Sequence, residues 1–185
     1  MGNGIINDTV GVVCARGASK RLKDKNIRLI GSETLAARAC RTLHQAGIED
    51  VYCITDIEED LIRLPKYVKR VERDDGEDDN KWLQDTIKDH FCEIDKVEYG
   101  YIAVLMPNGP FITSPIVRDV ADLLSDGRKI VRTYGYDGKE NGLIYSDIKY
   151  FLDGETDVYT GSIHTFGFEI HDIADYAKAV KLLVS

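Results

Sequence analysis

Residues 12–26 read VVCARGASKRLKDKN, and this stretch decides the architecture. An apolar run (Val10, Val12, Val13, Ala15) stops at a loop of small residues and cations: Arg16, Gly17, Ala18, Ser19, Lys20, Arg21, Lys23 and Lys25. A buried strand that opens into bare amides and fixed cations suits a polyphosphate, because N–H groups cradle its oxygens while Arg and Lys neutralise them. A solvated surface loop is the competing reading of such a charge run. The position directly after a strand, and the small residues, favour anion binding. The loop is neither GxxxxGK[ST] nor GxGxxG, so the common phosphate-binding motifs do not describe it.

The segments that follow alternate between strand and helix patterns. Residues 35–46 carry Leu35, Ala39, Leu43 and Ala46 on one helical face, with Gly47 as a stop. Asp50–Thr55 (DVYCIT) reads as a strand, residues 67–71 as a short one, and residues 99–106 as a central strand buried on both sides. A helix opening at Asn80 would carry Leu83, Ile87, Phe91 and Ile94 on one face; another over 114–124 would have Ser114 as cap and Pro115 in its first turn. Strand patterns recur at 129–134, 142–145 and 162–170, before a closing amphipathic helix at 172–184. Strand–helix alternation of this kind predicts an α/β fold. It would be one domain over 1–185, a mostly parallel sheet flanked by helices on both faces, with a small late antiparallel element. Ligands of such sheets sit at the carboxyl ends of the strands. The cationic loop, Asp56 and Pro107–Gly109 are therefore expected on one rim. Asp56 itself reads as a strand-end acid that caps the next helix.

Composition narrows the function. The chain has 185 residues and a formal net charge of −8, from 24 Lys and Arg against 32 Asp and Glu. This balance argues against general nucleic-acid binding, which needs a broad cationic surface, but not against a small anion in a local pocket. No apolar run approaches the ~20 residues of a membrane span, and residues 1–10 lack a signal-peptide pattern. Cys14, Cys40, Cys53 and Cys92 have no metal-ligand spacing and read as buried thiols in a reducing, cytoplasmic setting. His44, His90 and His164 also lack metal spacing. Tyr134, Tyr136, Tyr145, Tyr150 and Tyr159 read as packing for the late strands.

The run Ala15, Arg16, Gly17, Ser19, Lys20, Lys25 and Asn26 resembles the opening signature of the sugar-acid cytidylyltransferases, the CMP-sialic acid synthetase (acylneuraminate cytidylyltransferase) group. Weaker likenesses follow in order: DVYCITDIEE, VERDDGED, VLMPNGPFITS, NGLIYS and GFEIHDIADYAKAVKLL. The resemblance implies transfer of CMP from CTP to a keto-sugar acid with release of pyrophosphate. It implies Arg16 and Lys25 as catalytic residues on the triphosphate, with Lys20 in the same nucleotide-binding set. Ser19 and Asn26 would hold phosphate or ribose, backbone near Ala15 and Gly17 would read cytosine, and Arg73 would help hold the base. CTP and a sugar acid are the implied partners, together with a homodimer.

The departures are specific. Where the family has two metal-binding Asp on its closing strand, this chain has Glu169 and His171. Mg²⁺ is the implied cofactor, and imidazole is a poor ligand for it. The metal-binding Asp that related ketodeoxyoctonate enzymes keep after the central strand is Asn108 here, and the family's Gln in the central turn is Met106. The connection over 126–140 is shorter than the family's dimer-building segment. The alternative expectation is a degenerate member that binds a nucleotide or sugar nucleotide without turning it over, as a sensor or assembly subunit.

Overall fold

The computed structural model describes residues 3–73, 83–94, 99–153 and 160–184. After a short helix α1 (Asn3–Asn7), strand β1 (Thr9–Ala15) runs through the middle of the sheet. It pairs in parallel with β4 (Asp50–Thr55) on one side and β6 (Tyr101–Leu105) on the other. A small antiparallel pair, β2 (Leu29–Ile30) and β3 (Glu33–Thr34), follows the cationic loop. Strand β5 (Lys69–Glu72) extends the sheet beyond β4. The far half contains β7 (Ile130–Tyr134), β8 (Glu140–Asp147) and β9 (Thr160–His164). The spatial order is β5-β4-β1-β6-β8-β7-β9.

The mostly parallel α/β expectation holds, and the antiparallel element is better placed than expected. β8 is antiparallel to both β6 and β7 and lies inside the sheet rather than at its margin. It returns from a hairpin off β7, so the turn at 135–139 can insert the strand without a crossover helix. β9 then pairs in parallel with β7. The strand observed is Thr160–His164, so of the expected 162–170 strand only residues 162–164 pair with the sheet. Beyond Thr165, whose N–H donates to Tyr134 O at 2.8 Å, the chain leaves β7 and crosses the rim.

Helices cover both faces. α1, α2 (Leu35–Gln45) and α6 (Ser114–Ser125) bury Ile6, Cys40, Leu43, Val117, Val120 and Ala121 against Val13, Ala15, Ala103 and Leu105. The opposite face of β1, Val10 and Val12, lies under α4 (Leu83–Asp89), α5 (Phe91–Ile94) and α7 (Ile148–Asp153) through Ile87, Ile94 and Phe151. Each of the buried Val, Leu, Ile and Phe side chains among them contributes about 1.5–3 kcal/mol. The expected helix from Asn80 is two short helices that share the predicted apolar face; Asn80 lies outside the described residues. α2 begins where Thr34 Oγ1 accepts from Ala37 N at 3.1 Å, and its end is followed by Gly47 in the left-handed region (φ 108°). α6 is capped by Thr113, not Ser114, because Pro115 in the first turn puts Ser114 inside the helix. α8 (Ile173–Val184) packs with Leu22, Ile30 and Leu35 through Ala179. A short helix α3 (Glu59–Ile62) completes the set.

Two composition-based expectations are corrected. Cys40 and Cys53 are buried, but Cys14 is partly exposed and Cys92 exposed. Tyr145 is fully buried, whereas Tyr136 is 63% exposed because it sits in the β7–β8 turn. Tyr159 lies outside the described residues.

Candidate nucleotide site

β1 ends at Ala15, and the chain turns sharply into the cationic loop because three bonds hold it there. Gly17 N–H donates to Asp56 Oδ1 at 2.6 Å, Ser19 N–H to Gly17 O at 2.9 Å, and Asn26 Nδ2 to Arg16 O at 2.8 Å. The Asp56 expectation is thereby corrected. Its carboxylate serves the loop after β1, while the residue before α3, Glu58, makes no side-chain cap bond. Asp24, in the left-handed region (φ 56°), turns the chain into a 3-10 turn over Lys25–Ile27 that brings Lys25 and Asn26 back beneath Arg16.

The opposite wall follows β6. Met106 N–H donates to Gly142 O at 2.8 Å and Gly109 N–H to Met106 O at 3.0 Å, closing a tight turn through Pro107 and Asn108. Gly109 lies so close to the Asn141 carbonyl that a Cβ would collide with it, so only glycine permits this approach. Arg73 is anchored past β5 by its N–H on Thr55 O at 3.0 Å.

Between these walls lies a cleft of about 280 Å³ at the carboxyl ends of β1, β5 and β6. Arg16, Ser19, Lys25, Asn26 and Arg73 line it, so five of the eight predicted nucleotide residues converge. The other three do not face it: Ala15 is buried in the core, Gly17 turns towards Asp56, and Lys20 is exposed outside the lining. The cleft also gathers Cys14, Leu83, Thr86 and Met106, which sequence reading did not assign to it. For Leu83 the only signal was its place on an apolar helix face, which indicates burial and not a ligand.

The crossing segment after β9 completes the rim. Ile170 N–H donates to Asn108 O at 2.8 Å, which brings the neighbouring Glu169 to the cleft. Burial pushes the Glu169 carboxyl up from its ordinary value, while Lys25 and a hydrogen bond from Asn108 pull it back. Burial pulls the Lys25 ammonium down, opposed by Glu169 and reinforced by Arg21 and Arg16. The site thus holds a crowded cationic field that an anion would relieve.

Glu169 and His171, the two residues assigned to a metal, do come together: His171 Nε2 stands 3.4 Å from Glu169 Oε2. Glu169 Oε1 is buried without a hydrogen-bond partner. Among the described residues no group of three or more His, Cys, Asp or Glu side chains could hold a metal. Glu169 is the one carboxylate of this pair, and Mg²⁺ at nucleotide sites is held by one or two carboxylates together with substrate phosphates and water.

A second concave region lies on β7 and β9. Arg132, Tyr134, Thr160, Ser162 and His164 line a groove of about 390 Å³. The rings of Tyr134 and His164 are 5.9 Å apart, and Arg132 Nε is 3.3 Å from Glu140 Oε1. Sequence reading treated these as strand packing or ordinary residues, because a polar residue on a strand does not reveal that its sheet face is uncovered. Among the described residues no helix is long and apolar enough to cross a membrane.

Comparison with known proteins agrees with this geometry. The 3-deoxy-manno-octulosonate cytidylyltransferase of Rickettsia peacockii (strain Rustic) is 44% identical over 52 residues, 28% of this chain. The chain thus spans only about a fifth (21%) of that relative's length. Among solved structures, the homologue of Mycobacterium tuberculosis Rv0371c from Mycobacterium sp. strain JC1 superposes with a TM-score of 0.77 at 17% identity, covering 96% of this chain and 97% of that one. CMP:2-keto-3-deoxy-manno-octonic acid synthetase, solved in complex with CTP, gives 0.76 at 14% identity, covering 95% and 98%. These two likenesses establish the fold. A model of the family described as cytidylyltransferase matches residues 10–127, well over half of the sequence, and the chain belongs to that family.

Proposed function

We propose that the protein transfers CMP from CTP to a hydroxyl of a keto-sugar acid and releases pyrophosphate. The observation that carries this reading is the convergence of Arg16, Ser19, Lys25, Asn26 and Arg73 in one cleft at the strand ends. The acceptor hydroxyl oxygen attacks the α-phosphorus, its proton leaves, and the bond to the bridging oxygen of pyrophosphate breaks. Negative charge builds on the equatorial and departing oxygens. The loop backbone that carries Arg16 and Lys25 is tied down by Asp56 and Asn26, so these cations meet that charge with little reorganisation of the chain. An Arg can grip two phosphate oxygens at once, while Lys acts as a point charge. A divalent ion held by Glu169 and the triphosphate would supply further charge neutralisation.

The acceptor reading is supported by the groove on β7 and β9, where Thr160, Ser162 and Tyr134 offer hydroxyls and a substrate carboxylate would share the Arg132 guanidinium with Glu140. The relatives matched by sequence act, by name, on 3-deoxy-manno-octulosonate. An eight-carbon acid of that kind therefore stands beside acylneuraminates as a candidate acceptor.

The test is pyrophosphate release from CTP with a panel of keto-sugar acids and with Mg²⁺ or Mn²⁺. Release only with CTP and one acceptor supports the proposal. A second reading, nucleotide binding without turnover, draws on Asn108 and His171 standing where relatives carry Asp. Tight CTP binding with no pyrophosphate under any condition would select it. Thermal shifts with the four nucleoside triphosphates check the base, since only the cognate base adds to the shared phosphate contribution.

A further inference from the structure

We propose that a second cavity, beside the cationic loop on the side of β4 and α3, binds a small aliphatic diamine, and that its occupancy tightens nucleotide binding. The coupling rests on the nucleotide reading above; the cavity does not.

The cavity has a volume of about 270 Å³ and is separate from the nucleotide cleft, yet Arg16 and Asn26 line both. Its apolar surface comes from Ile27, Ile57 and Leu61, and its charge from Asp24, Asp56 and Glu58. The volume lies just under the ~300–1,000 Å³ of pockets that take drug-sized ligands, so the ligand is smaller than a nucleotide. The wall is preformed. Ile57 N–H donates to Thr55 Oγ1 at 3.1 Å, the Ile57 carbonyl accepts from Arg70 Nη2 at 3.0 Å, and Leu61 N–H donates to Glu58 O at 3.1 Å. Leu61 is nonetheless 47% exposed, which leaves aliphatic surface open to a ligand.

The charge pattern selects that ligand. Three carboxylates face one guanidinium, that of Arg16, so the lining carries two excess negative charges. Among the described residues none of the three carboxylates makes an ion pair. Among the same residues no three Asp, Glu, His or Cys side chains converge as a metal ion requires. The carboxylates therefore stand apart along the wall, with aliphatic side chains beside them. Two ammonium groups joined by a short methylene chain match this pattern, because each head meets a carboxylate while the methylenes cover Ile57 and Leu61. A compact dication of the same charge does not.

The loop transmits the occupancy. Asp56 holds Gly17 N–H through Oδ1 at 2.6 Å, and Asn26 Nδ2 holds Arg16 O at 2.8 Å. A ligand head that meets Asp56 at Oδ2 leaves the first bond in place. Carboxylates next to a phosphate-binding loop repel a triphosphate, and a bound dication cancels that repulsion. Diamine and CTP then bind with positive coupling, and by linkage each raises the affinity of the other by the same factor.

The experiment is titration of the ¹⁵N-labelled full chain with 1,4-diaminobutane, followed by amide NMR, with butyrate and Mg²⁺ as comparisons at fixed ionic strength. The diamine is expected to shift the Gly17, Ile57 and Leu61 amides saturably, and the comparisons are not. Leu61→Arg, which puts a like charge in the cavity, and the pair Asp24→Asn with Glu58→Gln should each abolish the saturation; Asn tolerates the left-handed backbone of residue 24. In calorimetry a saturating level of the diamine should tighten CTP binding about fivefold in the wild type and not in these variants. Shifts that Mg²⁺ reproduces, or that persist in both variants, overturn the cavity. A gain in CTP affinity that both variants keep reflects pairing of the diamine with the triphosphate in solution and overturns the coupling, as does no gain at all. Saturable diamine shifts in a protein that binds no CTP keep the cavity and remove the nucleotide reading.

Discussion

The backbone N–H of Gly17 donates to Oδ1 of Asp56 at 2.6 Å, tying the loop after β1 to the end of β4. An acid therefore shapes the most basic loop of the chain. Hydrogen bonds to a charged group contribute about 1.5–3 kcal/mol. Asp56→Ala should release the loop and weaken CTP binding roughly tenfold, with a smaller effect on melting temperature because the loop lies outside the core. Titration calorimetry and thermal denaturation on the same variant check this. Unchanged affinity would show that the loop holds its shape without Asp56.

Lys25 supplies a pH signature. Burial, with Arg21 and Arg16 nearby, lowers its pKa in the free protein, and a bound triphosphate would raise it again. Affinity is then highest below the free-state pKa and falls as pH rises through it, since binding must take up a proton. Calorimetry in buffers of different ionisation enthalpy should detect proton uptake in that alkaline window. Lys25→Met should bind CTP at least about tenfold more weakly and lose the pH slope. A wild-type affinity independent of pH up to 10 or so argues against direct contact with phosphate.

Tyr145 tests whether the NGLIYS segment packs the core or contacts substrate. Its hydroxyl is 2.6 Å from Thr9 Oγ1, which is also 2.6 Å from Ile5 O, and the ring is fully buried. Thr9 donates to Ile5, so Tyr145 donates to Thr9. Tyr145→Phe should cost about 1 kcal/mol in urea unfolding, a drop of a few degrees for a chain of this size, with KM unchanged. A raised KM for the acceptor with unchanged stability would place the hydroxyl in the site.

Asp50 governs part of the acid limb. Hydrogen bonds from Lys69 and from Tyr99, the latter at 2.6 Å, lower its pKa. A depressed carboxylate stabilises the fold above its unfolded value and loses that contribution as pH falls below about 4. The group is partly exposed, so solvent screening limits the effect to under ~1 kcal/mol. Asp50→Asn should lower stability slightly at pH 7 and not at pH 3, as read by paired urea titrations.

Where burial imposes a period, the sequence was legible. Asp50–Thr55 matches β4 residue for residue, and the apolar stripe of 35–46 became α2, because a side chain's facing direction follows from local geometry alone. The cationic loop was legible for the same reason: strand end, small residues and charge are all local. The breaking of the 80–94 helix and the ending of β9 at His164 were not. Both depend on where a distant segment offers a surface or a bonding edge.

By itself the sequence determined the positions of β1, β4, β6, α2 and α6 and the apolar faces they bury, and that Arg16, Ser19, Lys25 and Asn26 share one cationic loop. Only the tertiary structure decided that β8 runs antiparallel inside the sheet, that Asp56 holds the loop, and that Glu169 stands beside Lys25 across 144 residues of chain. The physical reason is range. Propensity and periodicity act over a few residues, whereas the partners of a charge or a strand edge are set by how the whole chain crosses itself.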